Sequence, residues 1–308
     1  MEVAYWEIAP YLPNVAPADL EAGVTEYVRN NAGKAFEFMV EACDTDRKAA
    51  GLPDAESTRK ARGEDPATLA VVDAHRNKFG LKTFTELRGP SGGEVPTLLQ
   101  QQKEETVEAL SKIARPCPGV PEVLAELRSS GIAFCISTTS PKPRVPASIT
   151  ACGLDEYFPA QKVHSGESDF NPPRFKPDPS VYLKASAAKA EKMAPCNCIA
   201  VEDSGSGVGS AANACIGFIV GYVGASHVPD EKAATHAEML MSGSRSKDKR
   251  GADIVISDMR DLPKLVALFK ESRAKGVKGP PAFSTELLES LKKPIWTRGN
   301  GHSQQNGH

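Results

Sequence analysis

Apolar positions in the first third of the chain recur at helical spacing. Leu20, Val24, Tyr27, Val28, Ala35, Phe38, Met39, Ala42 and Cys43 form one series, with Gly51 placed to stop it. Leu69, Val72 and Phe79 mark a second amphipathic segment. Leu98, Leu99, Val107, Leu110 and Ile113 mark a third, running towards Pro116. No convincing buried strand interrupts this part. From Pro116 onward helix and strand patterns alternate. Pro118-Gly119-Val120-Pro121 opens a helix that passes Leu127 and ends at Gly131. Residues 132–136 read as a buried strand stopped by Ser137-Thr138-Thr139-Ser140. A helix to Ala151 follows, then Gly153. Further strands are expected at 161–164, 198–201, 217–223 and 253–256, with a helix at 181–190 before the second of these. Such alternation predicts an α/β fold, a parallel sheet with helices on both faces. Past Lys270, Gly276, Gly279, Pro280 and Pro281 precede a short amphipathic piece, and residues 299–308 are polar and read as disordered. The expected division is 1–113 helical, 114–270 α/β core, and 271–308 a partly disordered C-terminal extension.

Composition narrows the classes. A chain of 308 residues with 40% hydrophobic content can bury a sizeable core, either one large domain or a core with an inserted second one. A net charge of −2 argues against nucleic acid or an acidic membrane surface as a main partner. No apolar run reaches membrane-spanning length, and the first residues lack the basic start and apolar core of a signal peptide. Seven cysteines, an odd number mostly in apolar elements, point to a reducing intracellular compartment, the cytoplasm or an organelle. Cys196-Asn197-Cys198 has no second ligand pair nearby to complete a zinc site and reads as structural.

The chemistry gathers at the predicted strand ends. Val201-Glu202-Asp203 closes an apolar strand and opens through Ser204-Gly205-Ser206-Gly207 into a helix. In open α/β sheets ligands collect beyond the carboxyl ends of strands. Two adjacent carboxylates repel unless a cation sits between them, so Glu202 and Asp203 are a natural seat for Mg²⁺, beside a helix start suited to phosphate. Ser137 and Thr138 stand where another strand runs out, either holding phosphate oxygens or capping the next helix. Lys176 lies in Phe175-Lys176-Pro177-Asp178-Pro179, where flanking prolines fix the backbone and aim the ammonium. The glycines after Asp203 do not make a dinucleotide site, because the acidic pair precedes them and would repel a pyrophosphate.

Taken in order, strand-Ser/Thr, Lys-Pro-Asp-Pro and Glu-Asp-Ser-x-x-Gly resemble motifs two, three and four of the haloacid dehalogenase superfamily. The likeness is greatest to its β-phosphoglucomutase and xylulose-bisphosphate phosphatase-like subgroup and covers roughly residues 116–269. It implies a Rossmann-like core with a helical cap. It also implies a Mg²⁺-dependent phosphate-ester hydrolase acting on a small phosphorylated metabolite, such as a sugar phosphate. Carried over, the phosphate-binding hydroxyls fall on Ser137 and Thr138, the phosphate-neutralising lysine on Lys176, and the metal carboxylates on Glu202 and Asp203. Within the cap, Lys34 of Gly33-Lys34-Ala35-Phe36 matches a weaker substrate-contacting element.

One motif of that family has no credible match. Its catalysis needs Asp-x-Asp at the end of the first strand, one carboxylate attacking phosphorus and the other protonating the leaving group. Asp44-Thr45-Asp46 is the only such pair in the first half, but helical spacing runs straight into it and Arg47-Lys48 follows. The resemblance instead aligns Glu2-Val3-Ala4-Tyr5-Trp6-Glu7 with the segment just after motif one, so the nucleophile and its central strand are expected upstream of Met1, in a longer form of the protein. Without that strand, two neighbours would be left with unpaired ladder groups. Two other readings stay open: a non-catalytic binding protein on the same scaffold, and a structural subunit docking through Phe283, Leu287, Leu288, Leu291, Ile295 and Trp296 on a protein partner.

Overall fold

The structure, a computed structural model, describes residues 2–31, 36–88, 96–188 and 193–298. Two compact units divide the chain: Met1–Ala114 with Thr150–Cys152, and Arg115–Ile149 with Gly153–His308. The first holds helices α1 (Glu2–Ile8), α2 (Leu20–Asn31), α3 (Phe36–Ala49), α4 (Ala55–Lys60), α5 (Pro66–Lys78), α6 (Phe84–Arg88) and α7 (Leu98–Ile113). The apolar series from Leu20 to Cys43 therefore belongs to two helices, and Gly51 stands past the second with φ +71°. Side-chain caps start four of the others. Asp54, Asp65, Thr83 and Thr97 accept from the backbone N–H three residues on, at 2.7, 2.8, 3.1 and 3.2 Å. Each such cap is worth about 1 kcal/mol. The short α1 is the buried centre of the unit. Val3 to Ile8 are all shielded from solvent, and α2, α3, α5 and α7 pack against it.

The second unit alternates as α8 (Val120–Ser129), β1 (Ile136–Thr138), α9 (Arg144–Ala151), β2 (Val163–Ser165), α10 (Ser180–Ala187), β3 (Ile199–Glu202), α11 (Gly205–Asn213), β4 (Phe218–Tyr222), α12 (Ala233–Met241), β5 (Ile254–Ile256), α13 (Leu262–Ala274), α14 (Thr285–Ser290) and β6 (Ile295–Thr297). Strands β3, β4 and β5 pair in parallel, with Val201 opposite Val220 and Gly221 opposite Val255. All five residues of β4 are buried, as a central strand covered on both faces must be. This is the expected α/β core.

The sheet comes in two pieces. β1 pairs only with β2, and the four-stranded piece begins at β3. Among the described residues no strand pairs with the free side of β1 or of β3. The expected buried strand over 132–136 is accordingly corrected. The ladder starts only at Ile136 and extends through Thr138, and Ile132, Phe134, Cys135 and Ile136 are half-buried. A strand gains order from its neighbours, and here β2 is three residues long and the other side has no partner strand.

The C-terminal extension is more ordered than its composition suggested. β6 adds to β5 antiparallel, with Trp296 opposite Val255. Leu291 and Trp296 join the buried core, and Phe283, Leu287, Leu288 and Ile295 pack against it. Lys292 donates to Asp258 at 2.7 Å. Burial pushes the Asp258 carboxyl up, but Lys292 and Arg260 outweigh it and hold it at about 2. Of the apolar residues read as a docking face, two are buried in the chain's own core and four stay half-buried against it. Residues 299–308 lie outside the described residues. We expect Trp296→Ala to lower stability by about 3 kcal/mol in urea unfolding followed by circular dichroism. An unchanged midpoint would show that β6 is not part of the folded core.

Candidate functional site

The site is assembled at the C-terminal ends of β1 and β3. Along β1 successive carbonyls face opposite sides. Thr138 O accepts from Gly166 N at 2.7 Å and so faces β2. Ser137 O faces the free side, where the Lys176 ammonium donates to it at 2.9 Å. The same ammonium forms a short ion pair with Glu202 Oε1, at the last residue of β3. One buried cation thus ties the ends of both sheet pieces.

The loop that aims Lys176 is held from below by α11. Ser210 Oγ donates to Asp178 O at 2.6 Å, and Asn213 Nδ2 donates to Pro177 O at 2.9 Å. Asp178 in turn accepts from Ser180 N at 2.8 Å, starting α10, and this bonding lowers its carboxyl below the usual range. Tyr182, one turn into α10, donates its hydroxyl to Glu202 Oε1, and its ring lies 5.2 Å from the Lys176 nitrogen. Burial lifts the Tyr182 hydroxyl well above its ordinary value, with Glu202 adding to the shift. The Glu202 carboxyl is also raised by burial, an effect opposed by Lys176 and Tyr182. Its other oxygen lies over the start of α11, where a Cβ on residue 207 would stand 1.7 Å from Oε2. Only glycine leaves room at that position.

The two neighbouring carboxylates differ sharply. Glu202 is buried, whereas the Asp203 side chain is 46% exposed, with His227 Nδ1 3.9 Å from its Oδ2. His236 Nε2 lies 2.7 Å from Asp203 O. A carbonyl only accepts, so that ring nitrogen carries the proton. Thr138 Oγ1 accepts from Ser140 N at 3.0 Å, shaping the turn after β1. The structure therefore brings Ser137, Lys176 and Glu202 together, with Thr138 and Asp203 next to them in the chain. Asp44 and Asp46 lie within α3 rather than at a strand end, and Asp44 accepts from Ala55 N at 2.8 Å. Lys34 lies outside the described residues.

Sequence reasoning missed Tyr182, His227 and His236. Tyr182 sits six residues after Lys176 on the apolar face of α10, a spacing that reads as core. The two histidines are separated from Asp203 by β4 and carry no local motif. Cys43, Cys117, Cys196, Cys198 and Cys215 are free thiols. Burial raises the thiol of Cys43 to about 12.

With this geometry in view, comparison with known proteins gives a consistent picture. A family model for haloacid dehalogenase-like hydrolases matches residues 18–214. Protein CbbY from Rhodobacter capsulatus is 30% identical over 149 residues, covering 48% of this chain and 64% of that protein. A probable pseudouridine-5'-phosphatase from Drosophila melanogaster is 28% identical over 142 residues, covering 46% and 60%. The chain thus spans a little over six-tenths of these relatives' length. A conserved haloacid dehalogenase-like protein of unknown function from Agrobacterium tumefaciens, of known structure, shares the fold. Its TM-score is 0.54 at 23% identity, covering 86% of this chain and 90% of that one.

Lys176→Met would strand the Glu202 carboxylate in the interior, a loss of about 3–5 kcal/mol near neutral pH. The sign of the pH dependence follows from the raised Glu202 carboxyl. The variant's stability is retained where Glu202 is protonated and falls as pH rises through its folded-state value. Urea unfolding at pH 5 and pH 8 checks this, and an equal loss at both would show that Glu202 carries no charge against Lys176.

Proposed function

We propose that this chain, which belongs to the haloacid dehalogenase-like hydrolases, works as a phosphate-ester hydrolase on a small phosphorylated metabolite, of the sugar-phosphate kind, with Mg²⁺. The observation that carries this reading is the Lys176 ammonium, held between Ser137 O and Glu202 at two converging strand ends. A fixed cation at that place is suited to neutralise a phosphoryl group, because it needs no reorganisation as charge develops. Hydroxyls and backbone N–H groups of Ser137 and Thr138 would bind its remaining oxygens.

The nucleophile is the part that the described residues do not supply. In this reading it is an aspartate on a strand that pairs with the free sides of β1 and β3, placing an Asp-x-Asp pair beside Lys176. That strand would also satisfy the ladder groups left open on both edges. The residues present do not by themselves fit Mg²⁺. No group of three or more metal-ligating side chains comes together among the described residues, and Glu202 Oε1 already accepts from Lys176 and Tyr182. The ion is therefore proposed only together with the added carboxylates, and no step is derived through it. A second reading, a non-catalytic member of the family that binds a phosphate compound or serves as a subunit, is favoured by Glu202 Oε1 already being taken by Lys176 and Tyr182 rather than open to a metal.

The test is phosphate release from sugar phosphates and nucleoside monophosphates in MgCl₂. It compares the chain alone with the chain fused at its start to an apolar strand ending in Asp-x-Asp. We expect turnover from the fusion only, cut about 100-fold or more by Asp203→Asn. Turnover untouched by Asp203→Asn would remove Asp203 from the mechanism. No turnover from either form, with orthophosphate still bound, would establish the second reading.

A further inference from the structure

The helical unit buries charge that the reading above does not use. Glu7, on α1, is 0% exposed, and neither of its oxygens meets a donor. Around it stand Glu105 from α7, Arg76 from α5 and Arg59 from α4. Arg76 Nη2 donates to Glu105 Oε1 at 2.5 Å, and Gln101 Nε2 donates to Glu105 Oε2 at 3.1 Å. Arg59 is committed elsewhere: to Pro96 O at 2.9 Å, to Tyr11 OH at 3.3 Å and to Gln101 Oε1. The Tyr11 hydroxyl in turn donates to Glu64 Oε1 at 2.8 Å. Trp6, next to Glu7 on α1, stacks on His75 at 3.8 Å, and His75 pairs with Glu21 at 2.6 Å.

Burial without a donor decides the state of Glu7. The unit buries three guanidinium groups, Arg47, Arg59 and Arg76, against the carboxylates of Glu7, Glu64 and Glu105, so the charge count alone leaves Glu7 free to ionise. Arg47 from α3, however, is spent on Pro53 O, Tyr11 O and Thr58 Oγ1, and Arg76 donates to Lys82 O and Glu105 while its buried Nη1 makes no bond to Glu7. A buried carboxylate that no donor reaches is neutralised rather than tolerated. A protonated carboxyl has one donor, and Glu105 is the acceptor beside it. We infer that Glu7 is held as a neutral acid sharing its proton with Glu105, and that this pair makes the helical unit loosen as pH rises. Burial first, and then Glu105, push the Glu7 carboxyl well above the ordinary carboxylate range, while Arg76 and Arg59 oppose the shift.

The sign is fixed by linkage. The folded unit keeps a proton that the unfolded chain gives up above about pH 4.3. Stability from this group is complete below that value and is lost as pH rises towards the folded-state value. Within that window each pH unit shifts the unfolding equilibrium about tenfold towards unfolding.

Trp6 and Trp296 are the chain's two tryptophans, one in each unit, so 5-fluorotryptophan labelling gives a ¹⁹F reporter beside Glu7 in the intact protein. The experiment is urea unfolding read at the Trp6 resonance at pH 6 and pH 9, for the native chain and for Glu7→Gln. Glutamine copies the shape of the neutral acid and cannot ionise. We expect the native midpoint to fall between pH 6 and pH 9, and the Glu7→Gln midpoint to fall less and to match or exceed the native one at pH 9. An unchanged pH slope in Glu7→Gln overturns the inference. So does a large loss of stability at pH 6, which would mean an ionised Glu7 paired with Arg76. Should the variant fail to fold, infrared spectra of the native chain with ¹³C-labelled glutamate still decide, because absence of any protonated glutamate at pH 7 overturns it. None of these outcomes depends on phosphatase activity.

Discussion

The second unit is organised around one buried ion pair. Taking Lys176 and Glu202 out of water costs several kcal/mol per ion, and their attraction offsets this only with good geometry and further hydrogen bonds. Those bonds are present. Glu202 Oε1 accepts from both Lys176 and Tyr182, and Lys176 donates again to Ser137 O. Much of the local sequence serves this arrangement. Gly207 clears room for the second Glu202 oxygen, and Ser210 and Asn213 on α11 hold the backbone of the Lys176 loop.

The ion pair also joins a sheet in two pieces, alongside α10, which packs on β1, β2 and α11. β1 and β3 share no ladder, so backbone hydrogen bonding does not connect them. Lys176 does, reaching the free side of β1 and the last side chain of β3. A lysine can bridge such a break because its long apolar stem packs while its ammonium serves several acceptors.

Most elements were legible in the sequence because their burial is one-sided or complete. The apolar stripe of α7 and the continuous apolar run of β4 announce helix and central strand with little ambiguity. The failures have physical causes. The strand after Gly131 starts later than its pattern predicts, since apolar residues at 132–135 look like a strand whether or not a partner strand exists to order them. The extension past Lys270 leaves two fates open, a partner or its own core, because sequence cannot say which apolar surface it will cover. Glu7, Arg59 and Arg76 carry no signal of burial at all, as charged residues are rarely buried without partners and the partners lie tens of residues away. Tyr182 was hidden for a related reason: an aromatic on an apolar helix face reads as packing, and its hydroxyl contact is visible only in three dimensions.

The acidic pair at the end of β3 illustrates how far residue chemistry alone carries. Adjacent carboxylates at a strand end demand a cation, and the sequence directs attention to a metal. Side chains alternate along a strand, so the two carboxylates leave the chain on opposite sides. Glu202 turns inward and meets Lys176; Asp203 turns outward, stays half exposed, and has its carbonyl fixed by His236. The cation that the pair requires is supplied first by the protein itself. What stays exposed beside it is the Asp203 carboxylate. That division, a buried glutamate aiming the lysine and an aspartate left facing solvent, follows from strand alternation and from the longer reach of glutamate.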